Sequence, residues 1–338
     1  MSGGFSLGFL TRVYQPAFNR KVYHETLELF KAAEALEFDC GWVAQHHFAS
    51  EQGRLPSPLV LLAAIAQATR RIRLGSGVIV LPQEPPLRLA EDASVLDLLS
   101  GGRLELGLGA GFDPATFSAF GGEHARRHQD YDDHLQRLYS ALSDRPLNAA
   151  GARLQPRTAG LGQRLWEATS RVEAVAARGN GLIMAPNPQL PSEAAGPWLQ
   201  RYRQAWPAQQ PTRPRAAWVQ AVFPEQYPDR EDSTLRRDIL AYAQLQRHIG
   251  VYQGPLDDDI SVLLKRLGVL HGSSQAIIDV LGEGPRLGVG DHWVVQVQTA
   301  STSLRDAIRA LETFRERIAP VLGWRPRGAQ GSPLATEH

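Results

Sequence analysis

The sequence predicts an α/β chain folded as a single (β/α)8 TIM barrel with insertions after the fourth to seventh strands. Three observations carry this. Short apolar runs alternate with amphipathic helical stretches from one end to the other. The runs that read as strands number eight. The length, 338 residues, suits eight strand–helix units with one or two insertions. A doubly wound parallel sheet is the competing architecture, and in both the chemistry belongs at the C-terminal ends of the strands.

The first run, Phe5 to Leu10, is followed by a helix from about Tyr23 to Glu37, on which Thr26, Leu29, Ala33 and Leu36 share a face. Cys40 to Ala44 is the second run. Pro58 to Thr69 reads as a helix, with Ser57 placed as N-cap and Pro58 as first helical residue. Ile72 to Leu81 is the third run and ends at Pro82. The helix Pro86 to Leu99 stops at Gly101-Gly102, which suit a left-handed C-terminal cap. Arg103 to Leu108 is the fourth run, followed by a helix around His128 to Leu142. Asn148 to Gln163, rich in Gly, Pro and Arg, reads as a surface loop. Leu165 to Ala168, Leu182 to Ala185, Ala216 to Phe223 and His292 to Gln298 complete the eight, and a last helix runs from Leu304 to about Val321. The barrel is therefore expected over 1–324, with residues 325–338 as a disordered tail.

Lys and Arg total 36 against 35 Asp and Glu, so the net charge of +1 carries no footprint for nucleic acid or anionic lipid. A small-molecule partner is the default. The single cysteine, Cys40, can form neither an internal disulfide nor a cysteine-based metal cluster. No segment approaches the roughly 18 uninterrupted apolar residues of a membrane span, and the N-terminus lacks a signal-peptide pattern. The chain is expected in the cytoplasm, without a membrane partner.

Four strand ends carry candidate chemistry. The second ends in Trp42-Val43-Ala44-Gln45-His46-His47-Phe48, and neighbouring residues point to opposite faces, so one of His46 and His47 should face the barrel mouth. An unperturbed histidine there titrates near pH 6.5 and can act as general acid or base. Structural histidines in a loop are the alternative; a metal site lacks HExxH spacing and a third ligand. The third strand carries Gly75 and Gly77, read either as close approach of a flat ligand or as barrel curvature. The fourth ends in Gly107-Leu108-Gly109-Ala110-Gly111, alternate glycines that also suit a dinucleotide or methyltransferase loop but run into Phe112-Asp113-Pro114 instead of a helix. After the fifth, Thr169-Ser170 can cap a helix beginning at Arg171, and such an N-terminus either holds a phosphate or is a plain cap.

Taken in order, Trp42 to Phe48, Gly75 to Pro82, Arg88 to Asp92 and Leu96 to Arg103, with weaker support from Ser170 to Gly179 and His271 to Ser274, resemble the bacterial-luciferase superfamily of flavin monooxygenases, in particular its alpha-subunit-like branch. The resemblance spans nearly the whole chain. It implies reduced FMN as co-substrate, O2, a small organic substrate, a separate NAD(P)H:flavin reductase and a homodimer. It places His46, with His47 beside it, as the catalytic histidine, and Ser76, Gly77 and Val78 against the flavin ring at a peptide that is often cis. Gly109 and Ala110 stand where luciferase has a reactive cysteine and a phosphate-binding arginine, and Thr169, Ser170 and Arg171 match the phosphate end. Gln45 stands where the family usually has Glu. These departures leave light emission unimplied, and Arg171, Arg126 or Arg127 is expected to replace the missing guanidinium. Hydride transfer with a deazaflavin coenzyme, a non-catalytic partner subunit and, remotely, a methyltransferase are the competing readings.

Overall fold

The computed structural model describes residues 4–14, 21–48, 53–186, 195–228, 233–250, 252–256, 259–283, 287–288 and 291–326. The barrel strands are β1 (Ser6–Thr11), β2 (Cys40–Val43), β3 (Arg73–Ser76), β5 (Leu104–Gly109), β6 (Leu165–Ala168), β7 (Gly181–Met184), β8 (Ala216–Pro224) and β10 (His292–Gln296). They pair in parallel in the order β10-β1-β2-β3-β5-β6-β7-β8, and β10 pairs with β8 to close the ring. A closed eight-stranded barrel, not a doubly wound sheet, is therefore the architecture. Seven of the eight strands coincide with runs read from the sequence, with ends shifted by a residue or two, and β3 covers the first half of the third run.

The helices on the first half of the ring are α1 (Lys21–Ala35), α2 (Pro58–Ala68), α3 (Pro86–Leu99), α4 (Pro114–Ala119) and α5 (Arg127–Leu142). Those on the second half are α6 (Val172–Arg178), α7 (Ala195–Gln204), α8 (Thr234–His248), α9 (Ile260–Arg266), α10 (Ser274–Gly282) and α11 (Leu304–Thr313). α11 is prolonged by one π-helical turn, Phe314–Ile318, that keeps Phe314 and Ile318 buried against the barrel. Gly101 and Gly102 are left-handed after α3, as expected of its C-terminal cap.

Two expectations change. The third run is not one strand: it breaks after Ser76, and β4 (Ile79–Val80) resumes pairing with β5 alone. A further strand, β9 (Val269–Gly272), adds in parallel to β8 outside the ring. It closes an excursion over α8 and α9 that has a small core of its own, including Phe223, Leu235, Ile239, Tyr252 and Leu263. Of the expected tail, Arg325 and Pro326 are described, Arg325 Nη1 donating to the Pro320 and Trp324 carbonyls; residues 327–338 lie outside the described residues.

The main core lies between strands and helices. Inside the barrel, Leu10, Cys40, Trp42, Ala44, Trp166, Ala217 and Val294 form a separate apolar layer, in which the Trp42 and Trp166 rings meet edge to face at 5.5 Å. Below it Glu105 is buried and accepts from Arg73 and, at 2.6 Å, from Trp166 Nε1, while the Arg215 guanidinium stacks on Trp166. The glycines of the sequence analysis serve this packing. A side chain at Gly75 would enter the Trp42 ring, and one at Gly107 would strike the Ser76 carbonyl, so both are close approaches within the protein. The barrel is a filled cylinder, open for chemistry at its C-terminal mouth.

The stretch Leu96 to Arg103 is built for assembly. Asp97 accepts from Arg164 at 2.6 and 2.8 Å, and buried Arg103 donates to Thr69 Oγ1 and to the Ala66, Ile72 and Ser100 carbonyls. These bonds satisfy the C-terminal carbonyls of α2 and anchor β3 and β5 at the end remote from the mouth.

Candidate active site

β2 delivers Gln45, His46 and His47 at the mouth. The His46 backbone N–H donates to the Leu55 carbonyl at 2.9 Å, which fixes the chain as it leaves the strand. The two rings then diverge. His47 packs on Phe120 and Phe48, with centroids 5.0 and 5.8 Å away, and burial lowers its basicity. His46 turns toward Arg12 at the end of β1. A side chain at Gly53 would meet the Arg12 carbonyl and, at 2.9 Å, His46 Nδ1, so Gly53 sits in the seam between them.

His46 Nδ1 is buried without a hydrogen-bond partner. Burial, helped by the Arg12 charge and by His47, pushes the His46 pKa down to about 3. That corrects the expectation of a histidine titrating near neutrality. His46 is neutral there, with one N–H donor and one lone pair to offer. The neutral ring, already hydrogen-bonded to the Ala44 backbone, can hydrogen-bond a guest through its unpartnered Nδ1, while full protonation is disfavoured by burial and by Arg12.

Gln45 is buried and fully engaged. Its amide Nε2 donates to the Pro56 carbonyl at 3.1 Å and to Glu84 Oε1 at 3.0 Å, and its Oε1 accepts from the Val80 N–H at 2.7 Å. It ties the end of β2 to β4 and brings the Glu84 carboxylate against the side chain at position 45. Burial raises the Glu84 pKa against the pull of the Gln45 amide.

Residues 76–78 and 107–111 lie at the C-terminal ends of β3 and β5. The Gly77–Val78 peptide is cis. Ser76 is fully buried, and its hydroxyl both donates to the Gly107 carbonyl and accepts from the Gly107 N–H, each at 2.9 Å. It replaces ladder bonds where β3 parts from β5, so the Ser76 side chain is not free to meet a ligand. Val78 fills the space over Gly109, where an added Cβ would lie 2.7 Å from Val78 Cγ2. Ala110 adds only a methyl group.

At the end of β6 the expected cap is displaced by one residue. α6 begins at Val172 with Arg171 as N-cap, and Thr169 Oγ1 accepts from the Arg171 N–H at 3.2 Å in a turn. Ser170 is exposed. Arg171 pairs with Asp132 of α5 at 2.7 and 2.9 Å, while its Nε is buried and unpartnered. Arg127 and Arg126 are elsewhere engaged, with the His124 carbonyl at 3.0 Å and with Asp130 at 3.5 Å. Arg171 is engaged as well, with Asp132 holding both terminal nitrogens of its fork, and differs from the other two in its orphaned Nε. Asp132 and Glu84 escaped the sequence reading, while Arg12 left a sign there as a charge immediately after an apolar strand.

Among the described residues no group of three or more His, Cys, Asp or Glu side chains could hold a metal ion, and no helix is long and apolar enough to cross a membrane. The donor set suits a different guest. The glycine faces of β3 and β5 are filled from within the protein, while the exposed Ser170 hydroxyl with the orphaned Arg171 Nε at the end of β6 suits a phosphate, so this end of the mouth fits the phosphate of FMN.

The family model described as luciferase-like monooxygenase matches residues 4–257. The alkanal monooxygenase alpha chain of the Kryptophanaron alfredi symbiont is 35% identical over 114 residues, 33% of this chain and 32% of that protein. The 4-hydroxyprotoasukamycin monooxygenase of Streptomyces nodosus subsp. asukaensis is 37% identical over 145 residues, 39% of this chain and 38% of that protein. The matched stretches thus cover under two fifths of these curated relatives. Three solved structures share the fold. The monooxygenase RslO1 from Streptomyces bottropensis has a TM-score of 0.75 at 22% identity over 94% of this chain and 99% of that one. The oxygenating constituent of 3,6-diketocamphane monooxygenase from Pseudomonas putida, in complex with FMN, scores 0.74 at 19% identity over 95% and 98%. The coenzyme F420 dependent tetrahydromethanopterin reductase from Methanopyrus kandleri scores 0.64 at 16% identity over 94% and 99%.

Proposed function

The chain belongs to the luciferase-like monooxygenase family, and on that premise we propose that it is an FMN-dependent monooxygenase that uses reduced FMN and O2 to oxidise a small organic substrate. The observation that carries this is the mouth itself: a neutral, buried His46 with an unpartnered ring nitrogen at the end of β2, and the orphaned Nε of Arg171 at the end of β6. The relatives named as monooxygenases and the FMN-bound structural neighbour support the reading.

Reduced FMN, when bound, supplies the electrons that activate O2. The protein's own residues do the rest. Ser170 and Arg171 hold the phosphate, with Asp132 orienting the guanidinium. Residues 77–78 and 109–110 flank the ring. The apolar plug of Trp42 and Trp166 beneath the mouth keeps water from entering through the barrel. His46 would hydrogen-bond the reacting group through its unpartnered Nδ1 and hold the proton there, with the neutral ring as the resting form. His47 packs with Phe48 and Phe120 on the rim, which makes it a shaping residue more than a proton carrier.

The reduced flavin is to come from a separate NAD(P)H:flavin reductase, and the working form is to be a cytoplasmic homodimer. The exposed Val60, Val95, Leu98 and Leu99 on the outer faces of α2 and α3 give that dimer an apolar surface, which light scattering would test. Hydride transfer with a deazaflavin is the second reading, favoured by the F420-dependent structural neighbour and by the loss of an arginine at Ala110. Titration with FMN and with a deazaflavin, followed by oxygen uptake with photoreduced FMN and a panel of aldehydes and ketones, separates the two. Deazaflavin binding without FMN binding would reverse the order.

A further inference from the structure

Arg12 has no role in the site described so far, yet its charge lies in the barrel mouth beside His46. Its Nη1 donates to Tyr14 Oη at 3.2 Å, and its guanidinium stacks over the Tyr242 ring of α8 at 5.1 Å from the centroid. Among the described residues no carboxylate pairs with it. The acid that acts on Tyr14 is Asp238, and both its oxygens are taken: Thr299 Oγ1 donates at 2.6 Å, and the Ser301 N–H and hydroxyl each donate at 2.9 Å. His46 adds no negative charge either. Two phenols, one guanidinium and a neutral imidazole therefore converge, and among the described residues no carboxylate pairs with the guanidinium, Asp238 being held by Thr299 and Ser301. Withdrawing a guanidinium from water without a paired counter-charge is costly, and a guest that brings the charge removes that cost. Burial holds the Tyr14 phenol protonated, so it still has an O–H to donate.

Location separates this place from the flavin phosphate. β1 and β6 stand four strands apart in a ring of eight, on opposite sides of the mouth. A flavin with its phosphate at Arg171 and its ring along β3 and β5 approaches His46 from one side. Arg12, Tyr14 and Tyr242 face His46 from the other. We propose that Arg12, Tyr14 and Tyr242 form the organic substrate's polar subsite, and that the substrate carries an oxyanion, a carboxylate or enolate, on an otherwise apolar body. This deepens the monooxygenase reading and rests on it, because α8 belongs to the excursion after β8 and brings Tyr242 over a mouth whose other side takes the flavin.

The test is calorimetric titration at pH 8 of the full chain with decanoate and benzoate against the neutral decanamide and benzamide, for the wild type, Arg12→Gln, Arg12→Lys and Tyr242→Phe. The wild type should prefer at least one carboxylate over its amide by about tenfold or more. Arg12→Gln should abolish the preference, and Arg12→Lys and Tyr242→Phe should keep part of it. Circular dichroism melting of each variant identifies any that fails to fold, and the two milder substitutions then carry the comparison. No preference in the wild type, or one that survives in Arg12→Gln, overturns the proposal. Reduced FMN is titrated into the same proteins. Its affinity should be unchanged by Arg12→Gln, and a loss there would assign Arg12 to the flavin phosphate instead. Failure of the wild type to bind reduced FMN would strike the monooxygenase reading while leaving the carboxylate preference as a separate result.

Discussion

Replacing Gln45 by Glu restores the family's usual residue and should nonetheless destabilise this protein. The Gln45 amide donates to the Pro56 carbonyl at 3.1 Å and to Glu84 Oε1 at 3.0 Å. A carboxylate can donate to neither, so two hydrogen bonds worth about 1 kcal/mol each are lost. Two carboxylates would then face one another at hydrogen-bond distance, a repulsion of about 4 kcal/mol at an effective dielectric constant near 20. The pair escapes it by keeping one proton, at a cost of about 1.4 kcal/mol for every pH unit above its pKa. Burial already raises the Glu84 pKa, and a neighbouring carboxylate raises it further. A group whose folded pKa is raised contributes stability present below its unfolded value and lost as pH rises through the folded one. Gln45→Glu should therefore cost about 1–2 kcal/mol at pH 5 and about 3–5 kcal/mol at pH 8. Urea unfolding at the two pH values measures this, and Gln45→Glu with Glu84→Gln should recover most of the loss, because the amide then donates from the other side. Equal stability of Gln45→Glu and wild type at pH 8, or a loss that ignores pH, refutes the reasoning.

Three further outcomes follow from the site. His46→Ala should leave the affinity for reduced FMN within about threefold and cut turnover by about 10²-fold, measured by oxygen uptake coupled to substrate oxidation. Arg171→Ala should weaken FMN binding about tenfold or more, and Asp132→Asn should tighten it a few-fold by releasing a carboxylate that competes with phosphate, both read by fluorescence titration. Ser76→Ala removes a hydroxyl that satisfies both the N–H and the carbonyl of Gly107, and should cost about 2–3 kcal/mol in urea unfolding with no change in FMN affinity.

Much of the fold was legible because the strands are buried runs of four to nine residues bounded by turn residues, and each barrel strand fell where its run lay. β9 was not, since Val269, Leu270, His271 and Gly272 form a strand only half buried against one neighbour and carry little pattern. The break after Ser76 was hidden for the opposite reason: Val78, Ile79 and Val80 continue the apolar run although the ladder stops. At the site, His46 and the glycine wall could be read because their meaning is local to a strand end. The glycines themselves misled in part, as Gly75 and Gly107 accommodate Trp42 and Ser76 and not a ligand. Arg12 with Tyr242, Gln45 with Glu84 and Arg171 with Asp132 are separated by 230, 39 and 39 residues, and nothing short of the closed barrel brings them together. The neutrality of His46 is likewise a product of burial and of Arg12, which no motif records.

The central claim is that the mouth between His46 and Arg171 is a reduced-flavin site. Anaerobic titration of the protein with reduced FMN, followed by the change in flavin fluorescence, tests it most directly. A saturable, stoichiometric complex that weakens in Arg171→Ala is the predicted result. Absence of saturable binding to the wild type, or binding indifferent to Arg171, would contradict the account.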